Sequence, residues 1–153
     1  MHSQDELLAI DQFLHRTIPL TAAMGVRVES YSSEGIIITA PLEPNHNHLG
    51  TAFGGSLSAI ATLAGYSLIW LELGNQEAHV VIRDSVIKFR RPVRGDIRAI
   101  CRQPAASDLE RFRQEYQSMG KARIDLEVVV EDKGLTALQF KGTYVALSSF
   151  NHS

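Results

Sequence analysis

The chain has 153 residues, of which 44% are hydrophobic and 21% charged, with 15 basic and 17 acidic side chains for a net charge of −2. That length suits one domain with a substantial core, and the composition excludes a disordered, collagen-like or low-complexity chain. The near balance of charge argues against a surface built for nucleic acid, and the lone Cys101 excludes an intramolecular disulfide and a cysteine-rich zinc site.

The N-terminal run Met1-His2-Ser3-Gln4-Asp5-Glu6 has two acids and no basic stretch before an apolar one, so a signal peptide is not expected and a reducing, cytoplasmic setting is. No repeat or linker is visible, so residues 1–153 read as one domain with an N-terminal helix and lead-in over 1–20. Ser3-x-x-Glu6 is a capping box, Leu7, Ile10 and Leu14 follow at helical spacing, and Pro19 is expected to stop that helix. Val26–Glu29 alternates as a strand, and Ser32-Ser33-Glu34-Gly35 reads as a hairpin turn into Ile36–Thr39. Pro41–Gly50 is a loop containing Asn45-His46-Asn47-His48. A long helix over 53–72 comes next, ending at the signal Leu73-Gly74-Asn75. Strands are predicted over 79–90, 94–102, 121–131 and 135–147, with a short helix between the second and third. Ser107-x-x-Glu110 is its predicted cap, Leu109, Phe112, Tyr116 and Met119 its apolar stripe, and Gly120 its end. Grouped antiparallel strands with segregated helices mean an α+β fold, here a sheet wrapped around the long helix.

One local feature departs from the averages. From Pro44 to Leu71, 28 residues carry no Asp, Glu, Lys or Arg. The apolar part has the length of a membrane span, but Gly54, Gly55, Ser56, Ser58, Thr62, Gly65 and Ser67 interrupt it, and the strands that follow have a soluble pattern. The expectation is a helix enclosed by protein, with no membrane.

The segment Asn47-His48-Leu49-Gly50-Thr51-Ala52-Phe53-Gly54-Gly55-Ser56-Leu57 resembles the N-x-x-G-x-x-F-G-G pattern of hotdog-fold acyl-CoA thioesterases. Phe89-Arg90-Arg91-Pro92-Val93-Arg94-Gly95-Asp96 is similar to that superfamily's turn between its middle strands. The wording around Gly50–Leu57, with Ala64-Gly65-Tyr66 and Leu68-Ile69-Trp70, looks most like the YiiD-type thioesterase domains. The resemblance spans nearly the whole chain. It implies a hotdog fold and hydrolysis of acyl-CoA or acyl-carrier-protein thioesters. It also implies a homodimer or homotetramer, and no cofactor beyond the coenzyme A of the substrate.

It also implies roles for individual residues. Gly55 N–H would bind the thioester oxyanion at a helix N-terminus, where the dipole assists, and Gly54 and Gly55 would let the substrate approach the backbone. Asn47 would polarise the carbonyl or hold the water, and Phe53 and Ser56 would line the substrate site with Gly54. Many relatives carry an acid nine residues after Phe53, where this chain has Thr62, which can hold a water but cannot take its proton at neutral pH. A base could come from His46, His48, His79, Asp84 or a partner subunit. Lys88, Arg90, Arg91 and Arg94 sit in a segment, Arg83 to Arg102, with seven basic residues against two acids. They suit the phosphates of coenzyme A. With one aromatic there, Phe89, no nucleic-acid stacking platform is expected. His46-x-His48 lacks further ligands at metal spacing, so no metal is expected, and Cys101 reads as a small buried hydrophobe. The rival function is a non-catalytic acyl-CoA or fatty-acyl binding module.

Overall fold

The computed structural model describes residues 2–74 and 78–148; the predicted cap residue Asn75 lies outside them. The elements are α1 (Gln4–Thr17), α2 (Pro19–Met24), β1 (Arg27–Ser32), β2 (Gly35–Ala40), a 3-10 turn (Glu43–Asn45), α3 (Gly54–Leu73), β3 (His79–Phe89), β4 (Ile97–Arg102), α4 (Ala106–Met119), β5 (Lys121–Asp132) and β6 (Leu135–Leu147). The strands form one six-stranded sheet in the order β1-β2-β4-β5-β6-β3, with every neighbouring pair antiparallel. This is the expected α+β hotdog, a sheet curled around α3.

The period-2 pattern of β5 decides which face is inside. Ala122, Ile124, Leu126, Val128 and Val130 are buried, while Arg123, Asp125 and Glu127 face out. Tyr144 of β6 and Ile36 and Ile38 of β2 are buried beside them. On α3, Ile60, Ala61, Ala64 and Leu68 meet this face with almost no exposure. Burying one such aliphatic side chain contributes about 1.5–3 kcal/mol, so the charge-free helix is the centre of the core. It is not buried all round. Gly54, Ser58, Ala59, Thr62 and Tyr66 form a half-buried stripe along one side.

Some local expectations changed. Pro19 ends α1 and also opens α2, at the first helical position where a missing N–H costs nothing. Ser3 does cap α1, accepting the Glu6 N–H at 3.2 Å, but the Glu6 carboxylate turns to His2 at 2.6 Å instead of closing the box. Ser107 does not cap α4: the helix begins at Ala106, with Ala105 in the cap position and no side-chain bond. Pro104 and Ala105 lead the chain into the helix before Ser107 is reached. In the α4 stripe Phe112 is fully buried and Leu109 and Tyr116 partly, but Met119 is exposed. Gly74 and Gly120 end α3 and α4 in the left-handed conformation that glycine adopts without strain.

Helix α1 lies over the distal half of α3, with Phe13 stacked on Trp70 at 3.9 Å between ring centroids. Buried Asp11 fastens it to β1 by accepting the Val28 N–H at 2.6 Å. Burial raises the Asp11 pKa more than this bond and the nearby His15 and Arg27 lower it. A raised carboxylate pKa means the folded state binds the proton more tightly. The stability contributed by this group therefore falls as pH rises from the ordinary carboxylate range through the raised value. Asp11→Asn keeps an acceptor without the charge. It is expected to be more stable than wild type in urea melts at pH 7, with the difference shrinking towards pH 3.

Candidate active site

The segment before α3 folds back on itself and positions the helix start. Asn47 N–H donates to the Thr51 carbonyl at 2.7 Å, His46 bridges Ala52, and Phe53 N–H donates to the Asn45 carbonyl at 2.7 Å. The Asn47 side chain organises the loop. Its Oδ1 accepts the Leu49 and Thr51 N–H groups and its Nδ2 donates to Thr51 Oγ1 at 2.9 Å. Asn45, which sequence reasoning passed over, is the more buried asparagine. Its Nδ2 donates to the Met24 and Pro41 carbonyls, tying α2 and the end of β2 to the loop, and its Oδ1 has no partner among the described residues. Nothing in the local pattern marks it, because its partner at Met24 is 21 residues away.

Helix α3 starts uncapped. Phe53 occupies the cap position and offers no side-chain bond. The Gly54, Gly55 and Ser56 N–H groups precede the first helical acceptor, which is used by Leu57 N–H donating to Phe53 O at 3.0 Å. Among the described residues no group accepts from those three donors. They sit at the positive end of a 20-residue helix, equivalent to about half an elementary charge. The arrangement can stabilise an anion.

The space over the two glycines is not empty. A Cβ on Gly55 would lie 2.4 Å from the Phe53 ring, and one on Gly54 would lie 3.7 Å from the Phe89 ring. Both phenyl rings are 56% exposed. Gly55 thus makes room for the Phe53 ring, while a side chain at Gly54 would meet Phe89 at ordinary contact distance. Phe89, 35 residues downstream, joins the site through the sheet.

The β3–β4 turn is held against the same point. Ala52 N–H donates to the Val93 carbonyl at 2.8 Å, and Val93 is buried. Arg91 and Arg94, on either side of Val93, are therefore brought near the start of α3, while Arg90 turns with Lys88 to the outer face. Arg90 Nε donates to Gln139 at 3.0 Å, and Asp132 accepts the Arg94 backbone N–H at 3.3 Å. Asp96 accepts the Leu42 N–H at 3.0 Å and closes the turn onto the loop. Lys88 is different. Strand alternation puts it on the outer face of β3, opposite to Phe89, alongside Val86 and Lys141. Another basic residue of the segment, Arg98, is paired with Glu29 at 2.9 Å.

Thr62 lies two turns along the half-buried stripe, and its hydroxyl donates to the Ser58 carbonyl at 2.9 Å, leaving only lone pairs for a water. Of the candidate bases, Asp84 shares the outer face of the sheet with Asp125, since both align with Thr143. His79 is at the opposite end of β3 from Phe89, roughly 30 Å of strand away. His46 and His48 remain at the helix end, with His46 Nδ1 turned to the Asn47 carbonyl at 2.8 Å. Glu72, the acid that ends the charge-free window, is at the far end of α3, where Tyr31, Gln103 and Arg113 donate to it. Cys101 is buried, and burial pushes its thiol up to about 12, so it is inert.

Known structures share this fold. A protein of unknown function from Chlorobaculum tepidum is 33% identical, with a TM-score of 0.86, over 93% of this chain and 94% of that one. A "putative thioesterase" from Shewanella oneidensis is 32% identical, with a TM-score of 0.80, over 95% of this chain and 99% of that one. A "probable thioesterase" from Pseudomonas aeruginosa is 25% identical, with a TM-score of 0.79, over 93% and 95%. Residues 7–148 match the family described as "Putative thioesterase (yiiD_Cterm)", and the chain belongs to that family of hotdog thioesterase domains.

Proposed function

We propose that the protein hydrolyses acyl thioesters of coenzyme A or of an acyl carrier protein. The observation that carries this reading is the uncapped start of α3, with free N–H groups at Gly54, Gly55 and Ser56, beside the Arg90–Arg94 turn. The Gly55 N–H takes the developing oxyanion, and its neighbours and the helix dipole assist. Asn47 holds the loop that presents this end, with its amide engaged by Leu49 and Thr51 of the same loop. Arg91 and Arg94 receive the phosphates of coenzyme A or the acidic surface of a carrier protein, and Arg90, bonded to Gln139, acts with Lys88 on the outer face only at longer range. The Thr62 oxygen is about 10 Å along α3 from the Gly55 N–H, so it holds the attacking water only at a site shared with a second copy, and His46 and His48 are the titratable side chains in the loop before the helix.

Thr62→Val keeps the shape and removes the hydroxyl. A water-holding role predicts a fall in kcat of about tenfold or more with little change in stability. An unchanged kcat would leave Thr62 as a helix residue only. The lack of an acid at Thr62 favours a second reading, a module that binds acyl-CoA without turning it over. Calorimetric binding of acyl-CoA with no thiol release would establish that reading in place of hydrolysis.

The catalytic unit is a homodimer or a dimer of dimers. Among the described residues edge strand β3 has β6 as its one neighbour in the sheet and exposes Val81 and Val86, and the α3 stripe is only half covered. An 11-residue edge strand with exposed valines offers a surface on which a second copy can pair. Analytical ultracentrifugation at micromolar concentration is expected to give a dimer or tetramer mass. A purely monomeric species would count against a site completed by a partner.

A further inference from the structure

We propose that the Phe53 ring is a gate: in the free protein it folds back over the Gly55 N–H at the start of α3, and a ligand reaches that donor only when the ring has turned away. The identity of the ligand that opens the gate rests on the thioester function proposed above. The closed state rests on the position of the ring alone.

Three observations place the ring. First, Phe53 stands in the cap position of α3 with the extended backbone of a capping residue, φ −67° and ψ 135°. From there a side chain reaches the N–H groups of the second and third helical residues, here Gly55 and Ser56. A Ser, Thr, Asp or Asn in that place would accept from one of them and hold it. A phenyl ring fills the same space and offers only a weak contact with its π face. The donors are shielded without being used. Second, the ring lies against Gly55. A Cβ there would come within 3.0 Å of the ring carbon Cδ2 and closer still to Cε2, so the closed position requires glycine. The backbone does not: Gly55 is not among the positive-φ residues, and any residue can adopt its helical conformation. Third, only the ring is free to move. Phe53 N–H donates to the Asn45 carbonyl at 2.7 Å, and the Phe53 carbonyl accepts from Leu57 N–H at 3.0 Å, so the backbone is held on both sides. The ring is 56% exposed and turns towards solvent about its own side-chain bonds. Such turns take picoseconds to nanoseconds, so the gate weakens binding and does not limit the rate. Covering about half of a phenyl ring favours the closed position about fivefold. The apparent affinity of a ligand for the donor falls by that factor.

The test reads ring contacts and affinity in the full chain. Nuclear Overhauser spectra of the ligand-free protein are expected to show the Phe53 ring protons in contact with the Gly55 protons. S-decyl-coenzyme A, a thioether that cannot be hydrolysed, is expected to abolish that contact. Calorimetric titration of S-decyl-CoA is expected to show binding about fivefold tighter than wild type in Phe53→Ala, which lacks the ring, and in Gly55→Ala, which keeps the ring but displaces it. Phe53→Ser adds a capping oxygen. It is expected to bind more weakly than Phe53→Ala and to melt at a higher temperature. A ring that merely lines the ligand site gives the opposite sign, with Phe53→Ala weaker than wild type. That result, or no contact between the ring and Gly55 in the free protein, overturns the gate. Failure of S-decyl-CoA to bind wild type and variants alike would refute the thioester function, and the Overhauser contact in the free protein would then decide the gate by itself. Binding in the expected order with no thiol release from decanoyl-CoA would refute hydrolysis and leave the gate standing.

Discussion

Gly65→Ala is expected to lower the melting temperature by about 4–8 °C, through a net loss of about 2 kcal/mol. A Cβ at this position would lie 2.3 Å from Tyr144 Oη and 2.4 Å from its Cζ. Tyr144 cannot move aside: it is fully buried on the inner face of β6, and its hydroxyl donates to the Thr62 carbonyl at 2.8 Å. Overpacking of this kind costs about 1–3 kcal/mol, occasionally more, and overlap of two atoms by about an ångström belongs at the upper end. Alanine's better helix propensity returns about 1 kcal/mol, so packing decides the sign. A thermal melt that shows no change, or a rise, would mean that α3 and β6 can separate at this point.

At Gly55 the expected effect is on rate. Gly55→Pro removes one N–H from the first turn of α3, where proline is tolerated because the N–H has no helical acceptor. If that N–H binds the oxyanion, kcat falls by about 10²–10³-fold, the loss typical of removing one such donor. Gly55→Ala is the matched control. It introduces the same Cβ against the Phe53 ring but retains the N–H, and the exposed ring is free to swing away. It is expected to lose less than about tenfold. Equal losses in the two variants would assign the effect to the ring rather than to the hydrogen bond.

The parts of this molecule that the sequence made legible are those fixed by local pattern. The charge-free window identified α3 as the core helix, although one stripe of it is only half buried, and alternation in β5 identified the inner face of the sheet. Ser3, Gly74 and Gly120 marked helix ends through chemistry confined to one turn. Other features depend on partners distant in sequence. Asn45 matters through the Met24 and Pro41 carbonyls, and Gly65 through Tyr144. Phe89 comes within contact range of Gly54 only through the closed sheet. Helix α2 is too short for a periodic signal, and Pro19 is as good an opening residue as a stop. Ser107 shows the converse error: a capping pattern identical in form to that of Ser3 falls inside a helix already begun. In the site, Lys88 and Phe89 are adjacent in the chain but on opposite faces of β3, a separation that period-2 alternation alone could have foreseen. The base is the part least legible at either level, since α3 carries a hydroxyl at Thr62 and the nearest imidazoles lie in the loop before it.

Thioester hydrolysis is tested most directly by the initial rate of coenzyme A thiol release from decanoyl-CoA by the purified wild-type protein, with Gly55→Pro measured alongside. The expected result is saturable release well above the uncatalysed rate, reduced at least a hundredfold in the variant. Saturable binding of S-decyl-CoA with no thiol release from decanoyl-CoA would contradict it and identify an acyl-binding module instead.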